Sequence, residues 1–123
     1  MELNEYQERA MTTCMDSCNN FSYMFINLVA ETGEFASKVA KSIRKEEYVI
    51  NGNKISFAKE PCEAEEKAKK SKELMLEAGD ILWQLSGLCK VMGWDLEQVA
   101  QANLDKLASR KERNKIDGDG DNR

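Results

Sequence analysis

Apolar residues recur at intervals of three and four along most of this 123-residue chain, the spacing of one face of an α-helix. The pattern predicts a helix over about 3–16, a second over about 20–45, a third from about 63 to Gly93, and a fourth from about 95 to 113. Asp95 and Gln98 have the spacing of a capping box at the start of the fourth helix. A single proline and few β-branched runs also favour helices over sheet. We therefore predict an all-α subunit, a four- to five-helix bundle.

The second and third predicted helices each carry an apolar seam with a polar stripe beside it. We expect both seams to form the core. They offer more apolar surface than a lone small bundle hides, so we expect a homodimer or homotetramer. The seams are Phe21, Phe25, Leu28, Thr32, Phe35 and Val39 on the second helix and Leu74, Ala78, Ile81, Leu85, Leu88 and Met92 on the third. The stripes are Asn27, Glu31, Glu34, Lys38 and Lys41 on the second helix and Glu77, Asp80, Gln84 and Gly87 on the third.

The helical period fails between 46 and 61, in the segment that joins these two helices. Asn51-Gly52 lies there between short apolar pieces, a combination typical of a tight turn. We predict a projecting loop or a small hairpin, which either covers a ligand or is a plain connector.

The chain ends in a run of acidic and glycine residues. We predict a single domain over 1–113 and a flexible polar tail over 114–123. Asp117, Asp119 and Asp121 are spaced like the start of an EF-hand loop, but the late glutamate of such a loop is missing, so we do not expect calcium. A tail that folds over a bound ligand is the alternative.

Charge and composition exclude several classes of protein. The net charge of -4 argues against a general nucleic-acid binder. No apolar run is long enough to span a bilayer, and the N-terminus lacks the features of a signal peptide, so we expect a cytoplasmic protein without a membrane partner. The four cysteines lack the dense spacing of a disulfide scaffold and should be free thiols.

Two short acidic motifs indicate the chemistry. Glu31-Thr-Gly-Glu34 and Glu77-Ala-Gly-Asp80 each place two acids on one helix face, where like charges repel, and each contains a mid-helix glycine that is unfavourable by about 1 kcal/mol. The repeated pattern suggests two closely packed helices with four carboxylates between them. Such a cluster needs a cation, and hard divalent cations prefer oxygen ligands. We interpret it as a magnesium site, with Mn²⁺ as an alternative. Taken singly, each motif is also typical of a solvated helix edge, with Glu34 and Lys38 paired.

The chain contains no histidine, which excludes imidazole catalysis and every Ser-His or Cys-His nucleophile. Glu31 or Glu34 is then the candidate base for an attacking water. Basic side chains are needed because carboxylates alone would repel a phosphate tail, and a solvated helix charge is the alternative role for each of them. Trp83 either stacks on a base or packs in the core or an interface. The candidate phosphate-binding residues are Lys38, Lys41, Lys106 and Arg110.

Three segments of the chain together resemble the MazG-type nucleotide pyrophosphohydrolases. The segments are Leu28 to Phe35, Leu76 to Trp83 and Asn103 to Arg110. The resemblance implies an oligomeric helical bundle that hydrolyses nucleoside or deoxynucleoside triphosphates to monophosphate and pyrophosphate, with magnesium held by Glu31, Glu34, Glu77 and Asp80. It also implies that Asn103 and Lys106 approach the nucleotide. Ala30 stands where many relatives have a glutamate, and Gln84 where an aromatic is common.

Two other functions are alternatives to this one. The acids of a non-catalytic helical interaction module would form only a structural cation site or a binding surface. A related pyrophosphohydrolase would act on another phosphorylated metabolite, such as phosphoribosyl-ATP.

Overall fold

The computed structural model describes residues 1–56 and 61–121, and four helices and one small hairpin make up its regular structure. This confirms the predicted all-α class. The elements are α1 (Leu3–Met11), a 3₁₀ turn (Asp16–Cys18), α2 (Phe21–Arg44), β1 (Val49–Asn51), β2 (Lys54–Ser56), α3 (Ala64–Val91) and α4 (Leu96–Glu112).

The first helix ends at Met11, so its predicted extension to residue 16 is wrong. The hydroxyl groups of Thr12 and Thr13 donate to the carbonyl oxygens of Arg9 and Ala10, at 2.6 and 2.7 Å. Threonine hydroxyls that bond nearby carbonyls compete with the helical pattern, which explains the early end.

The other helix ends follow local signals. The Asn20 side chain accepts from the Tyr23 amide at 2.9 Å and caps α2. Asp95 and Gln98 form the predicted capping box at the start of α4. Gly93, between α3 and α4, has a φ of 77°, a conformation that favours glycine after a helix.

Between the two acidic helices the structure has the hairpin rather than an open loop. β1 and β2 are antiparallel, with Ile50 opposite Ile55 and with Gly52 in the turn at a φ of 62°. The start of the hairpin is tied to α3, because Lys70 Nζ lies 2.6 Å from a Glu47 carboxylate oxygen. The predicted loop also includes residues 57–60, which lie outside the described residues.

A buried amide joins α1 to α3 and α4. Gln7 Nε2 donates to the carbonyl oxygens of Ser86 and Trp94 at 3.1 and 3.2 Å, and its Oε1 accepts from the Leu96 amide at 3.2 Å. One side chain therefore fixes the end of α3 and the first turn of α4 against α1.

The predicted core seams are wrong in part, because α3 buries three of the four residues of its polar stripe. Glu77, Gln84 and Gly87 are buried, whereas Leu85 of the seam is 37% exposed. On α2 the fully buried residue is Met24, which was not in the predicted seam. Phe21 and Phe25, which were, are half exposed and stack on each other, with ring centroids 5.7 Å apart.

Gly87 explains why Met24 is the buried residue of α2. A Cβ atom placed on Gly87 would collide with the Met24 sulfur and terminal methyl group. The absence of a side chain on α3 at this point thus makes the space that the methionine of α2 fills.

None of the helices within the described ranges combines the length and the hydropathy that a bilayer crossing requires.

Candidate active site

Three of the four predicted acidic ligands converge between α2 and α3. Glu31, Glu34 and Glu77 each offer a carboxylate oxygen, and these three oxygens lie within 4.8 Å of one another. Glu31 and Glu34 are one helical turn apart on α2, and Glu77 reaches them from α3. We call these three residues the acidic triad. Glu77 is buried, Glu31 half-buried and Glu34 exposed, so the triad opens from the helix interface toward solvent.

The surroundings of Glu31 disfavour the ionised form of its carboxyl group. Burial raises the pKa of its carboxyl group, and repulsion from Asp80, Glu34 and Glu77 raises it further. The Asn27 side chain, one turn earlier on α2, donates to Glu31 Oε1 at 3.1 Å and counteracts part of this shift. Added positive charge would stabilise the ionised form of Glu31.

Lys38 supplies one positive charge to the triad. Its Nζ lies 2.6 Å from Glu77 Oε1, across the α2–α3 interface. This hydrogen bond raises the pKa of the Lys38 ammonium, and the charges of Glu73 and Asp80 contribute. The sequence offered a pairing with Glu34 along the same helix, whereas the structure joins Lys38 to the other helix.

Asp80, the fourth predicted ligand, is exposed and is not one of the three residues that form the triad. Burial is the main cause of the raised pKa of Glu31 and of the Tyr6 hydroxyl, and the charge of Asp80 raises both further. The structure therefore gathers three of the predicted carboxylates and keeps the fourth beside them.

We predicted that α2 and α3 approach each other closely at Gly33 and Gly79, and in the single chain this prediction is wrong. Apart from the adjoining stretch of its own helix, a Cβ atom added to Gly33 or Gly79 would meet no atom of residues 1–56 or 61–121 within 4 Å. The close approach occurs instead at Gly87, eight residues beyond Gly79 on α3.

Trp83 lies against the end of α1. Its indole Nε1–H donates to the Ala10 carbonyl oxygen at 3.1 Å and to the Thr13 hydroxyl oxygen at 3.0 Å. This arrangement favours the packing role over base stacking. Gln84 is only 3% exposed, and its buried Oε1 has no hydrogen-bond partner among the described residues.

Asn103 and Lys106 line an open groove of about 660 Å³ on α4. The groove also contains Trp94, which is 50% exposed although its backbone is held by hydrogen bonds to Cys89 and Gln7. Sequence reasoning missed Trp94; its signal was an aromatic residue directly after the helix-ending Gly93. The groove lies on α4 and the preceding turn, whereas the triad lies on α2 and the middle of α3.

Arg110 is 5% exposed and binds the end of the described chain. One guanidinium nitrogen donates to Asp121 Oδ1 at 3.1 Å and to the Gly120 and Asp121 carbonyl oxygens at 3.4 and 3.3 Å. Lys106 Nζ lies 3.5 Å from the same Oδ1. Among the described residues, Arg110 Nε has no hydrogen-bond partner. The tail was predicted to be flexible, but Asp121 is bound by Arg110 and Lys106, two of the predicted phosphate-binding residues. The predicted domain boundary at residue 113 stays a prediction.

Lys41, the last predicted phosphate-binding residue, lies exposed on α2. It comes three residues after Lys38, so both lysines continue the line of Glu31 and Glu34 toward the end of the helix.

Comparison with known proteins identifies the family. The model of the MazG nucleotide pyrophosphohydrolase domain matches residues 20–114, which contain α2, α3, α4 and the triad. A relative named Gene 37 protein, from Mycobacterium phage L5, is 34% identical over 130 aligned residues that cover all of both chains. No solved structure matches the chain at a significant level. The resemblance seen in the three sequence segments is thereby confirmed, and the chain belongs to the MazG nucleotide pyrophosphohydrolase family.

Proposed function

We propose that this protein is a magnesium-dependent nucleoside triphosphate pyrophosphohydrolase, which converts a (d)NTP to the (d)NMP and pyrophosphate. The observation that carries the proposal is the acidic triad of Glu31, Glu34 and Glu77, at the interface of two helices in a chain of the MazG family.

The chemistry of the donors fits a hard divalent cation. Mg²⁺ and Mn²⁺ favour carboxylate oxygens, and Mg²⁺ in nucleotide enzymes is commonly held by a few carboxylates together with substrate phosphates. Burial raises the pKa of Glu31, the neighbouring carboxylates raise it further, and such a cation would offset their repulsion. We propose the triad as the metal ligands, with Asp80 as the fourth because its charge already acts on Glu31.

When bound, magnesium would supply Lewis-acid stabilisation of the charge that develops on the leaving pyrophosphate. The chain itself would supply a proton acceptor for the attacking water, either Glu31 or Glu34. Asn27 holds Glu31 in one orientation, whereas Glu34 is exposed and reachable by solvent water.

The triphosphate needs cations on the protein, because the triad would otherwise repel it. Lys38 and Lys41 follow the triad along α2, and Lys106 and Arg110 lie on α4. Arg110 and Lys106 already bind a carboxylate, Asp121, which supports their capacity for an anion. The groove beside Asn103 is large enough to support a role for this residue in contacting the nucleotide.

The test is pyrophosphate release from a panel of NTPs and dNTPs with Mg²⁺, extended to phosphoribosyl-ATP. We expect Glu31→Gln, Glu34→Gln, Glu77→Gln and Asp80→Asn each to lower kcat/KM by about 100-fold or more, the loss typical of removing a group that stabilises developing charge. Glu65→Gln, in the exposed first turn of α3, is the matched control and should keep full activity. If the triphosphates stay intact after incubation with the purified protein, the proposed pyrophosphohydrolase activity is refuted.

We also propose that the active form is a homo-oligomer. The chain exposes 9184 Å², whereas a compact monomer of 14.0 kDa exposes about 6,700 Å², so the excess is about 2,500 Å². A dimer that hides this excess on both chains would bury about 5,000 Å² in total, which is within the range of obligate dimers. Large apolar side chains are exposed on the long helices: Ile26 is 66% exposed and Val29 63% on α2, and Met75 is 59% and Leu76 56% on α3.

Light scattering tests the oligomer. The mass in solution should be at least twice the 14.0 kDa of a single chain, and Val29→Glu should shift it toward the single-chain value. Ser37→Glu introduces the same charge at an exposed polar position of α2 and should leave the mass unchanged. A wild-type protein that stays monomeric at all concentrations would contradict the proposal.

A further inference from the structure

Lys38 and Glu77 form an ion pair that connects the open side of the site to its buried side. The Glu77 side chain is 11% exposed and that of Lys38 44%, and the two charged atoms are 2.6 Å apart. A buried carboxylate requires a partner of opposite charge, and this ammonium is the partner that the structure provides.

In this ion pair, Lys38 is bound to a carboxylate that is also a proposed metal ligand. Glu77 is one of the three residues whose oxygens lie within 4.8 Å of one another. An ammonium at hydrogen-bond distance from Glu77 would stand close to any divalent cation that this carboxylate binds, and the two positive charges would repel each other.

The charges around the pair favour a divalent cation over a single ammonium. The three carboxylates of the triad lie close together, with Asp80 beside them, and the single ammonium of Lys38 is bound to only one of the three. Lys38 is also half exposed on a long unbranched side chain, so its ammonium can leave Glu77 without any change in the helices.

We propose that Lys38 is a resident counter-ion that occupies Glu77 in the metal-free protein and that a divalent cation displaces from it. This inference rests on the proposed function, because it takes the triad to be the metal site. Lys38 is in this respect a positioning residue: it holds Glu77 in place for the metal and competes with the metal for it. Displacement frees the ammonium on the solvent side of the triad, where it becomes available to a phosphate group.

The experiment measures Mn²⁺ binding to the full chain without nucleotide, from the EPR signal of free Mn²⁺ and by calorimetry. Lys38→Met removes the competing charge and should tighten Mn²⁺ binding by about tenfold, which corresponds to roughly 1.4 kcal/mol. Lys38→Gln is a second neutral variant and should act in the same direction, whereas Lys38→Arg keeps the charge and should not tighten binding.

Lys41→Met is the matched control, since it removes the same charge from the same exposed side of α2, three residues further on. It should change Mn²⁺ affinity by less than about twofold, because Lys41 is exposed and interactions between solvent-exposed charges are weak. In a Glu77→Gln background Lys38→Met should lose its effect, since the contact through which it acts is gone.

Three results would overturn the inference. Equal Mn²⁺ affinity in wild type, Lys38→Met and Lys38→Gln would show that Lys38 does not compete, and would leave the proposed metal site intact. An equal increase of Mn²⁺ affinity in Lys38→Met and Lys41→Met would show that the effect comes from the net charge of the chain and not from the Lys38–Glu77 contact. If no variant, wild type included, binds Mn²⁺, the proposed metal site fails together with the inference.

Discussion

Three glycines on the two acidic helices give a sharp test of the packing. Gly33 on α2 and Gly79 on α3 have open space where a Cβ atom would be, while a Cβ atom on Gly87 would collide with the end of Met24. Alanine is favoured over glycine by about 1 kcal/mol within a helix. Gly33→Ala and Gly79→Ala should therefore each raise the free energy of unfolding of the chain by about that amount.

Gly87→Ala gains the same helix propensity but must also displace the sulfur and terminal methyl group of Met24, a side chain that is 0% exposed. Overpacking of this kind typically destabilises by about 1–3 kcal/mol. The net result should be a loss of roughly 0–2 kcal/mol, which places Gly87→Ala about 1–3 kcal/mol below Gly79→Ala.

The assay is urea unfolding followed by circular dichroism, at one protein concentration for all variants because an oligomer makes stability depend on concentration. A difference of 1 kcal/mol should also move Tm by about 4 °C for a chain of this size. If Gly87→Ala is as stable as Gly79→Ala, the Met24 contact is wrong. If Gly33→Ala or Gly79→Ala lowers stability, a second copy occupies the space that is open in a single chain.

Three further predictions concern single contacts. Trp83→Phe removes both hydrogen bonds from the indole to the end of α1 and should lower the free energy of unfolding by about 1–2 kcal/mol with an unchanged KM for triphosphate, whereas a raised KM would show base stacking. Asp95→Ala breaks the capping box of α4 and should lower the same free energy by about 1 kcal/mol, measured by urea unfolding. The hydrogen bond from Arg110 lowers the pKa of Asp121, so this contact should stabilise the fold above the ordinary carboxyl pKa and weaken as the pH falls through the lowered value; a carbon-13 NMR titration should show the pKa of Asp121 rising in Arg110→Gln.

Local signals in the sequence were enough to predict the helices and most of their ends. Asn20, Gly93 and the Asp95–Gln98 pair act within a few residues of the ends that they set, so their effect can be read along the chain. The first helix was predicted too long because the apolar period continued through two threonines whose hydroxyls bond back to it.

The partners of the site residues could not be predicted in the same way, because they depend on how the helices are rotated. The spacing of Glu34 and Lys38 indicated a pair along α2, but the rotation of α3 brings Glu77 to Lys38. The binding of Asp121 by Arg110 likewise requires the tail to fold back over α4, which no local pattern indicates.

The orientation of α3 against α2 gives rise to the acidic triad and leaves apolar side chains of α3 exposed. The polar stripe lies beside the apolar seam, and Glu77 of the stripe is buried where it meets the acids of α2. On the same helix Leu85 of the seam and the nearby Met75 and Leu76 stay partly exposed. The buried negative charge and the uncovered apolar area each destabilise a single metal-free chain, and they call for different remedies, a cation for the first and a second copy for the second. Since the two remedies act at different places, the unfolding midpoint should rise with Mg²⁺ at a fixed protein concentration and with protein concentration at fixed Mg²⁺.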